Sequence, residues 1–337
     1  MNKGKMVISL DFELHWGAVE KWPLESKTVH NKFLKTRDAV FVMLELFSKY
    51  KIHVTWATVG YLFAKNIEDL NNFIPKSRPE YSNKSLSTYD LIDSGALGVD
   101  EKEDPLHFAN SILELIRKYP YQEIGSHTFS HYYTNENGQT IESFEADLIC
   151  AQNIASFYKF NLRSLVFPRN QFNNKYLEVV KRNDFEAVRS NPNVWYWSSG
   201  FKFNSRFYRL ASRLARGVDL LLPISNTLFS IEDIVNVENN LPVCIPSSRF
   251  VRPYKKSESI FNWLRLRRIK SEMTNAAKNG LIYHLWWHPH NLSDDLHGNS
   301  IYLEKILDHF HTLKNKYGFD SANMHELSEL VRKGSEP

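Results

Sequence analysis

Short apolar runs alternate with amphipathic segments along this chain, and this alternation constrains the fold more than any other feature. Residues 6–10 form a continuous apolar run, which is typical of a strand buried on both faces. Apolar side chains then recur at helical spacing within residues 36–50, and residues 52–58 are rich in β-branched and aromatic types. A strand, a helix and a second strand in this order form a βαβ unit, whose two strands must be parallel.

The same alternation continues along the chain and gives about seven βα units, which favours closure into a barrel over two separate domains. We therefore predict an α/β fold, a distorted (β/α) barrel formed by one domain over residues 1–337. Long polar insertions are expected near residues 71–105 and 195–240. The further predicted strands are residues 123–125, 162–167, 187–189, 243–246 and 281–287, and the further predicted helices are residues 106–119, 143–160, 174–183, 257–278 and 301–316.

Composition excludes several classes of protein. The hydrophobic content of 42% is ample for a packed core, and the net charge of +4 gives no sign of a nucleic-acid partner. The two cysteines, Cys150 and Cys244, lie far apart and predict free thiols in a reducing cytoplasm. No apolar run approaches the ~18 residues that span a membrane, and the run at residues 6–10 is too short for a signal-peptide core. We therefore expect a cytoplasmic protein.

Four side chains that can bind a metal follow two of the predicted strands. Asp11 and Glu13 come at the end of the first apolar run, and positions i and i+2 of a strand point to the same face. His127 and His131 follow the strand at residues 123–125, and a helical turn would place both imidazoles on one side. Two histidines and one carboxylate form a common zinc site that leaves positions for water and substrate, while a second carboxylate can take a proton. Strand-end acids also serve as caps or ion-pair partners, and an isolated histidine pair at this spacing is a weak signal.

Three segments carry a resemblance to a known family. In order and spacing, SLDFE at residues 9–13, VTWATVG at residues 54–60 and EIGSHTFSH at residues 123–131 resemble the NodB-homology polysaccharide deacetylases. The likeness extends over most of residues 6–290. It implies a distorted (β/α) barrel that removes N- or O-acetyl groups from sugars with a metal-bound water, with zinc as the first candidate ion.

The resemblance also implies roles for the four side chains. His127 and His131 take the places of the two metal-binding histidines, and Asp11 takes that of the general base. Glu13 takes the place of the metal-binding aspartate, although the family usually has two adjacent aspartates where this chain has Asp-x-Glu. The roles of Asp11 and Glu13 could be exchanged, and both assignments stay open at this point.

Two later segments complete the resemblance. Arg169 corresponds to the arginine of the family's third motif and could orient the base carboxylate or bind an anionic substrate group. In this chain the proline precedes Arg169 instead of following it, and the motif's tyrosine is absent. The sequence Arg-Pro-Tyr does occur at residues 252–254, but this position is too late in the chain for the third motif, and we predict a loop there. His288 corresponds to the general acid that protonates the leaving amine, and His290 is the second choice.

These assignments predict a metal-dependent hydrolase that removes an acetyl group from an N-acetylated sugar or glycan precursor in envelope polysaccharide biosynthesis. The substrate would be nucleotide-linked or lipid-linked. Two alternatives stay open. One is a metal-independent hydrolase of a cyclic ureide with the same fold, and the other is a catalytically silent carbohydrate-binding protein, which the altered third motif favours.

Aromatic and basic side chains add two weaker expectations. Tryptophans near predicted strand ends could line a saccharide groove, although core packing is the commoner role of such residues. Basic clusters are usually solvated helix faces, but here they could contact an anionic membrane surface from the cytoplasmic side. The tryptophans are Trp16, Trp56, Trp195, Trp197, Trp286 and Trp287, and the basic residues are Arg206, Arg209, Arg213, Arg216, Arg265, Arg267, Arg268 and Lys270.

Overall fold

A single parallel sheet organises the computed structural model, which describes residues 3–23, 26–192, 194–197, 206–219, 225–234 and 241–333. In these ranges the hydrogen-bonded order of the strands is β6-β5-β4-β3-β2-β1-β8-β7, and β9 also pairs with β1. The strands are β1 Lys5–Phe12, β2 Val54–Thr58, β3 Gln122–Ser126, β4 Ser164–Val166, β5 Ala187–Ser190, β6 Val243–Pro246, β7 Arg249–Phe250, β8 Ile282–Trp287 and β9 Asp320–Ala322.

Helices follow most of the strands and cover the sheet, as the apolar alternation requires. The longest is α1, whose buried face includes Val40, Met43, Leu44 and Phe47, the side chains that recur at helical spacing. The helices are α1 Lys27–Tyr50, α2 Ile67–Asn72, α3 Tyr89–Asp93, α4 Asn110–Lys118, α5 Ile141–Phe157, α6 Leu177–Arg182, α7 Arg206–Asp219, α8 Ser259–Asn279, α9 Leu296–Tyr317 and α10 Met324–Lys333.

The central strand β1 lies between β2 and β8, and every residue from Met6 to its end is buried. Because all the strand pairs are parallel, the carboxyl ends of these strands meet at one edge of the sheet. The strand includes Asp11 and ends at Phe12, so Glu13 lies one residue beyond it, where a 3₁₀ turn at Leu14–Gly17 begins. The site predicted for this edge therefore has one carboxylate on the strand and one on the turn.

The predicted barrel fold is confirmed, with its strands arranged as an open, curled sheet. β6 and β7 are the two ends of the described strand order, so the described strands do not close the barrel. Two strands were missed: β7 has only two residues, and β9 has three and contains an aspartate and a serine. Neither is long enough to show a strand pattern.

The two predicted insertions differ in how much of them the structure describes. The one near residues 71–105 follows α2 and contains α3 and short turns, and residues 252–254 form a loop between β7 and α8 as expected. The one near residues 195–240 contains α7, along which Leu210, Leu214 and Val218 are exposed. The side chains of Arg206, Arg209, Arg213 and Arg216 lie outside the described part, so the basic stripe on α7 and the single-domain organisation stay predictions.

Two further properties follow from the described residues. Cys150 and Cys244 are free thiols, as their sequence positions predict. A search of the helices in the described ranges finds none that combines the length and the apolar character needed to cross a membrane.

Candidate active site

Three imidazoles surround one carboxylate oxygen at the carboxyl edge of the sheet. Glu13 Oε1 lies 3.0 Å from His127 Nε2, 3.3 Å from His131 Nε2 and 3.5 Å from His288 Nε2. Glu13, His127 and His131 are buried, whereas the side chain of His288 is 24% exposed. The cluster is therefore closed on the side of the first two histidines and accessible on the side of His288.

The outer nitrogens of the two buried histidines have hydrogen-bond partners that fix the ring orientations. His127 Nδ1 lies 2.8 Å from the carbonyl oxygen of Val166, which can only accept, so Nδ1 carries the proton. His131 Nδ1 lies 3.0 Å from the hydroxyl of Tyr133. Each Nε2 faces the Glu13 carboxylate and can donate a hydrogen bond to it when protonated, and a metal ion bound between them would replace that proton. Metal-binding histidines commonly have such partners on their second nitrogen.

The loop that joins these two histidines is held by a buried carboxylate on α5. Thr128 and His131 adopt positive φ angles of 63° and 58°, so the expected helical turn does not form. Asp147 accepts hydrogen bonds from the backbone N–H of Phe129 at 2.6 Å and of Ser130 at 3.0 Å, and from the Ser130 hydroxyl. Non-glycine residues persist in this region of backbone space only when neighbouring contacts hold them there. Asp147 supplies those contacts.

Asp11 is paired with an arginine from another strand. Arg189 on β5 donates from NH1 to Asp11 Oδ1 at 2.6 Å and from NH2 to Asp11 Oδ2 at 2.8 Å. The guanidinium is fully buried, donates further to Ser9 Oγ and Asn170 Oδ1, and lies 4.5 Å from the centre of the Trp286 ring. A bidentate pair of this kind fixes both the charge and the orientation of the carboxylate.

A chain of hydrogen bonds continues behind Arg189. His284 Nδ1 lies 3.0 Å from the carbonyl of Pro246 and therefore carries the proton, which leaves Nε2 to accept from Ser9 Oγ at 2.8 Å. Ser9 Oγ in turn accepts from Arg189. Burial, together with the nearby Arg189 charge, lowers the pKa of His284 to about 3, so this imidazole is neutral. All members of the chain thus have defined donor and acceptor roles.

The charges in the cluster act on one another. Burial alone would raise the pKa of Glu13, but His288, His131 and the imidazole hydrogen bonds outweigh it and hold this pKa well below its ordinary value. Burial and Arg189 oppose each other at Asp11 in the same way, and its pKa is lowered. Burial would lower the pKa of His288, but the Glu13 and Asp11 carboxylates raise it. Two ionised acids therefore face an imidazole that binds a proton readily.

His288 and His290 occupy different environments. His288 Nε2 lies 3.7 Å from Asp11 Oδ2, and the backbone of His288 is held by Asn291, whose N–H donates to the His288 carbonyl at 2.9 Å and whose Oδ1 accepts from the His288 N–H at 3.3 Å. His290 is buried against Trp22 and Phe33. Burial lowers its pKa to about 3. The structure therefore brings His288, and not His290, next to the carboxylates.

Arg169 lies at the rim of the site instead of beside Asp11. Its guanidinium forms an ion pair with Glu20, lies 4.0 Å from a Glu136 oxygen and packs 4.3 Å from the centre of the Tyr133 ring. Arg169 has a positive φ of 54°, and the next residue, Asn170, accepts a hydrogen bond from Arg189. Orientation of Asp11, one of the two roles considered for Arg169, is performed in the structure by Arg189.

The tryptophans divide into core and site residues. Trp16, Trp56 and Trp287 are fully buried core residues, which is the commoner expectation. Trp286 lies beside the site, with its ring centre 5.9 Å from that of His288, and Trp195 is 53% exposed. The side chain of Trp197 lies outside the described part of the chain.

The residues fit a divalent ion. Glu13, His127 and His131 each offer one ligand atom, and these atoms lie within 4.8 Å of one another. Two imidazole nitrogens and one carboxylate oxygen form a donor set that suits zinc, and His288 marks an open side for water or substrate. Asp11, Glu13 and His288 meet the same distance condition. The group with His127 and His131 is the better candidate, because it contains two imidazoles and each has a hydrogen-bond partner on its outer nitrogen.

Comparisons with known proteins give matches only at the level of structure. No family model and no curated protein matches the chain. Among solved structures, a candidate polysaccharide deacetylase from Mycobacterium smegmatis matches with a TM-score of 0.63 and 10% identity over 100% of this chain and 93% of that one. A second candidate polysaccharide deacetylase, from Pseudomonas aeruginosa PAO1, matches with a TM-score of 0.55 and 9% identity over 98% of this chain and 91% of that one.

A third solved structure has a different named activity. The Puue allantoinase matches with a TM-score of 0.54 and 8% identity over 99% of this chain and 90% of that one. At these identities the likeness shows the fold, and it confirms the resemblance to polysaccharide deacetylases at that level. Substrate and chemistry have to be argued from the site.

Gly17 gives a test of how Glu13 is held. A Cβ atom at Gly17 would collide with the Glu13 carboxylate, so Gly17→Ala should displace that side chain and weaken zinc binding by about ten- to a hundredfold. Gly217→Ala is the matched control, because nothing lies within 4 Å of a Cβ there. Zinc affinity is measured by competition with a chromophoric chelator. Equal affinities for both variants and the parent would contradict the placement of Glu13.

Asp147 gives a test of the histidine loop through pH. Burial outweighs three hydrogen bonds and raises the pKa of Asp147 from 3.8 to about 6, so the folded state holds this proton more tightly than the unfolded state. The resulting stabilisation is present below about pH 4 and is lost as the pH rises through about 6, a change of up to about 3 kcal/mol. Asp147→Asn should remove this part of the pH dependence.

The measurement is urea unfolding between about pH 4 and pH 7, the window that the two pKa values define. Relative to the Asp147→Asn variant, the free energy of unfolding of the parent protein should fall over this range, whereas the exposed-site control Asp38→Asn should run parallel to the parent. A constant difference between parent and Asp147→Asn would contradict the raised pKa.

Proposed function

We propose that this protein is a metal-dependent hydrolase that removes an acetyl group from an N-acetylated sugar or glycan precursor. The observation that carries the proposal is the position of Glu13 Oε1 within 3.0 to 3.3 Å of two oriented imidazoles, next to a second carboxylate and a third imidazole. The fold, shared with candidate polysaccharide deacetylases, supports the same reaction class.

In this proposal Glu13, His127 and His131 hold the ion. A divalent ion bound there would lower the pKa of a water molecule and polarise the acyl carbonyl. Glu13 is the better candidate ligand of the two acids, because it approaches both buried histidines while Asp11 is engaged by Arg189. The buried walls around these three side chains exclude other water and strengthen the electrostatic interactions inside.

Asp11 and His288 divide the proton transfers. Asp11 is ionised beside Arg189, so it can accept a proton from the attacking water. His288 binds a proton readily and its Nε2 faces the carboxylates, so it can donate that proton to the leaving nitrogen. An amide requires such an acid, because an amine anion is a poor leaving group. Because the His288 side chain is 24% exposed, the proposal has the leaving group depart on this open side.

The surroundings of the open side fit a polar substrate. Phe250 and Trp286 pack near His288, and the ion-paired Arg169 and Glu20 lie at the rim beside Tyr133. Aromatic faces and charged groups around a cleft are suited to a sugar with an anionic leaving portion. We therefore propose a nucleotide-linked or lipid-linked N-acetyl sugar, of the kind consumed in envelope polysaccharide synthesis, as the substrate class.

A second candidate function is hydrolysis of a cyclic ureide without a metal. The fold likeness to an allantoinase favours it, because that likeness covers 99% of this chain. The oriented imidazole pair argues for the first function, since a metal-free reaction does not require both Nε2 atoms to face Glu13.

Metal dependence separates the two functions. Purified protein should contain about one equivalent of zinc or another divalent ion and release acetate from N,N′-diacetylchitobiose or UDP-N-acetylglucosamine. His127→Ala should abolish both properties with the melting curve preserved, whereas the exposed-site control His297→Ala should change neither. Turnover of allantoin in chelator-treated protein, without acetate release, would overturn the proposal in favour of the second function.

Paired isosteric variants separate the roles of the two acids. Asp11→Asn should retain the metal and lower kcat by about 10²- to 10⁴-fold, because the proton acceptor is lost. Glu13→Gln should lose the metal, because the carboxylate ligand is replaced by an amide. Metal content is measured by elemental analysis and kcat by acetate release. Metal loss in Asp11→Asn with retention in Glu13→Gln would show that the two roles are exchanged.

A further inference from the structure

The first turns of α8 expose large apolar side chains. Ile260 is 71% exposed, Trp263 57% and Phe261 46%, and Ile260 has the highest exposure among the large hydrophobic side chains of the described residues. The apolar side chains that α8 buries in the core begin farther along, at Ile269 and Met273. The exposed residues are therefore not required for the packing of α8.

Basic side chains surround these apolar ones. Residues 252–271 contain seven lysines and arginines and one acid, Glu258, which forms ion pairs with Lys255 and Arg265. Arg252, Lys256 and Arg267 are exposed, and none of them belongs to an ion pair formed among the described residues.

Arg252 lies close to another basic side chain, Arg265. Burial of part of its side chain and the neighbouring Arg265 lower the pKa of Arg252, while Glu258 opposes this change. We name the group formed by Ile260, Phe261, Trp263, Arg252, Lys256 and Arg267 the α8 patch.

The α8 patch has the geometry of one helix side. Ile260, Trp263 and Arg267 occupy positions i, i+3 and i+7 of α8 and therefore share a face. The guanidinium of Arg267 lies 5.5 Å from the centre of the Trp263 ring. Two apolar side chains and a flanking cation thus point in one direction, which is suitable for contact with a flat surface.

The α8 patch is connected to the active site by a short, anchored loop. Phe250, the last residue of β7, packs with its ring centre 4.7 Å from that of Trp286 and 6.0 Å from that of His288. Ile260 follows Phe250 by about ten residues, which limits their distance to about 35 Å. The backbone N–H of Tyr254 donates to Asn299 Oδ1 of α9 and ties this loop down. Because α8 follows the carboxyl end of β7, which is parallel to β8, its first turns begin on the side of the sheet that carries the site.

We propose that the α8 patch docks this protein on the surface of an anionic lipid bilayer. Ile260, Phe261 and Trp263 would enter the boundary between headgroups and acyl chains, where tryptophan rings are favoured. Arg252, Lys256 and Arg267 would contact anionic headgroups, while their aliphatic stems stay beside the apolar side chains. This docking would hold the carboxyl edge of the sheet close to the membrane.

Two other occupants fit the α8 patch less well. In a symmetric dimer the same patch would face itself, and the unpaired cations of both copies would come together at a cost. Nucleic acid would pair with the cations and stack on Trp263, but it offers no apolar phase for Ile260, whose exposure is the highest. A bilayer surface satisfies the apolar and the basic side chains at the same time.

Vesicle flotation at low salt tests the proposal and does not depend on catalysis. The protein should float with phosphatidylcholine vesicles that contain about 30% of the anionic lipid phosphatidylglycerol, and binding should weaken as salt is raised. Ile260→Ser with Trp263→Ser should lower the partition coefficient by at least about tenfold. Phe41→Ser with Phe157→Ser, which alters exposed aromatic side chains on α1 and α5, should leave it unchanged.

A charge variant provides the second arm. Arg252→Ser, Lys256→Ser and Arg267→Ser together should lower the partition onto anionic vesicles by about a hundredfold. Thermal melts establish that each variant is folded. The proposal is overturned if the parent protein does not float, or if the α1/α5 control loses binding as strongly as the patch variant. It is also overturned if light scattering shows that Ile260→Ser with Trp263→Ser only converts a dimer to a monomer. Retention of binding to single-stranded DNA but not to vesicles would likewise overturn it.

Discussion

The burial of two carboxylates at the end of the central strand is the constraint on which the rest of the site depends. Asp11 and Glu13 are 3% and 5% exposed. An unpaired buried charge costs about 3 to 5 kcal/mol, so each acid needs its own partner. Arg189 serves Asp11, and the imidazoles of His127, His131 and His288 face Glu13. Arg189 lies on β5, the two buried histidines follow β3 and His288 follows β8, and the parallel sheet brings the ends of these strands together.

This division of partners also separates the chemistry of the two acids. The Asp11 carboxylate has both oxygens engaged by a guanidinium, which fixes its charge and direction but leaves no place for a metal between them. The Glu13 carboxylate faces three imidazole nitrogens, each of which can bind either a proton or a metal ion. Gly17 leaves the space that the Glu13 side chain occupies. The same edge of the sheet thus contains one acid suited to proton transfer and one suited to ligation.

Much of the fold could be predicted from the sequence, because a buried parallel strand is a continuous apolar run. Such a run can be recognised without knowing which strands lie beside it. The positions of Glu13, His127, His131 and His288 next to one another also agree with the expectation from strand ends. The same reasoning missed β7 and β9, since strands of two and three residues have no period to detect. It also expected a helical turn between the histidines, where Asp147 holds positive φ angles from a distant helix.

Arg189 is the residue of the candidate site that sequence reasoning missed. Its signal was present, because an arginine among the small side chains of the short strand β5 is costly to bury without a charged partner. The sequence pointed to Arg169 instead, because it follows a strand end and corresponds to the arginine of the family's third motif. Arg169 and Asn170 both have positive φ, and in this turn Arg169 pairs with Glu20 while Asn170 accepts from Arg189. Sequence alone contains no direct signal for that turn.

The central claim is that Glu13, His127 and His131 hold a divalent ion beside Asp11 and His288. Anomalous X-ray diffraction at the zinc edge, on crystals grown with zinc, tests it most directly. The account predicts one strong peak about 2.0 to 2.2 Å from a Glu13 carboxylate oxygen and from both Nε2 atoms. A peak bounded by Asp11 and His288 without contact to His127 and His131, or no peak in this cluster at saturating zinc, would contradict it.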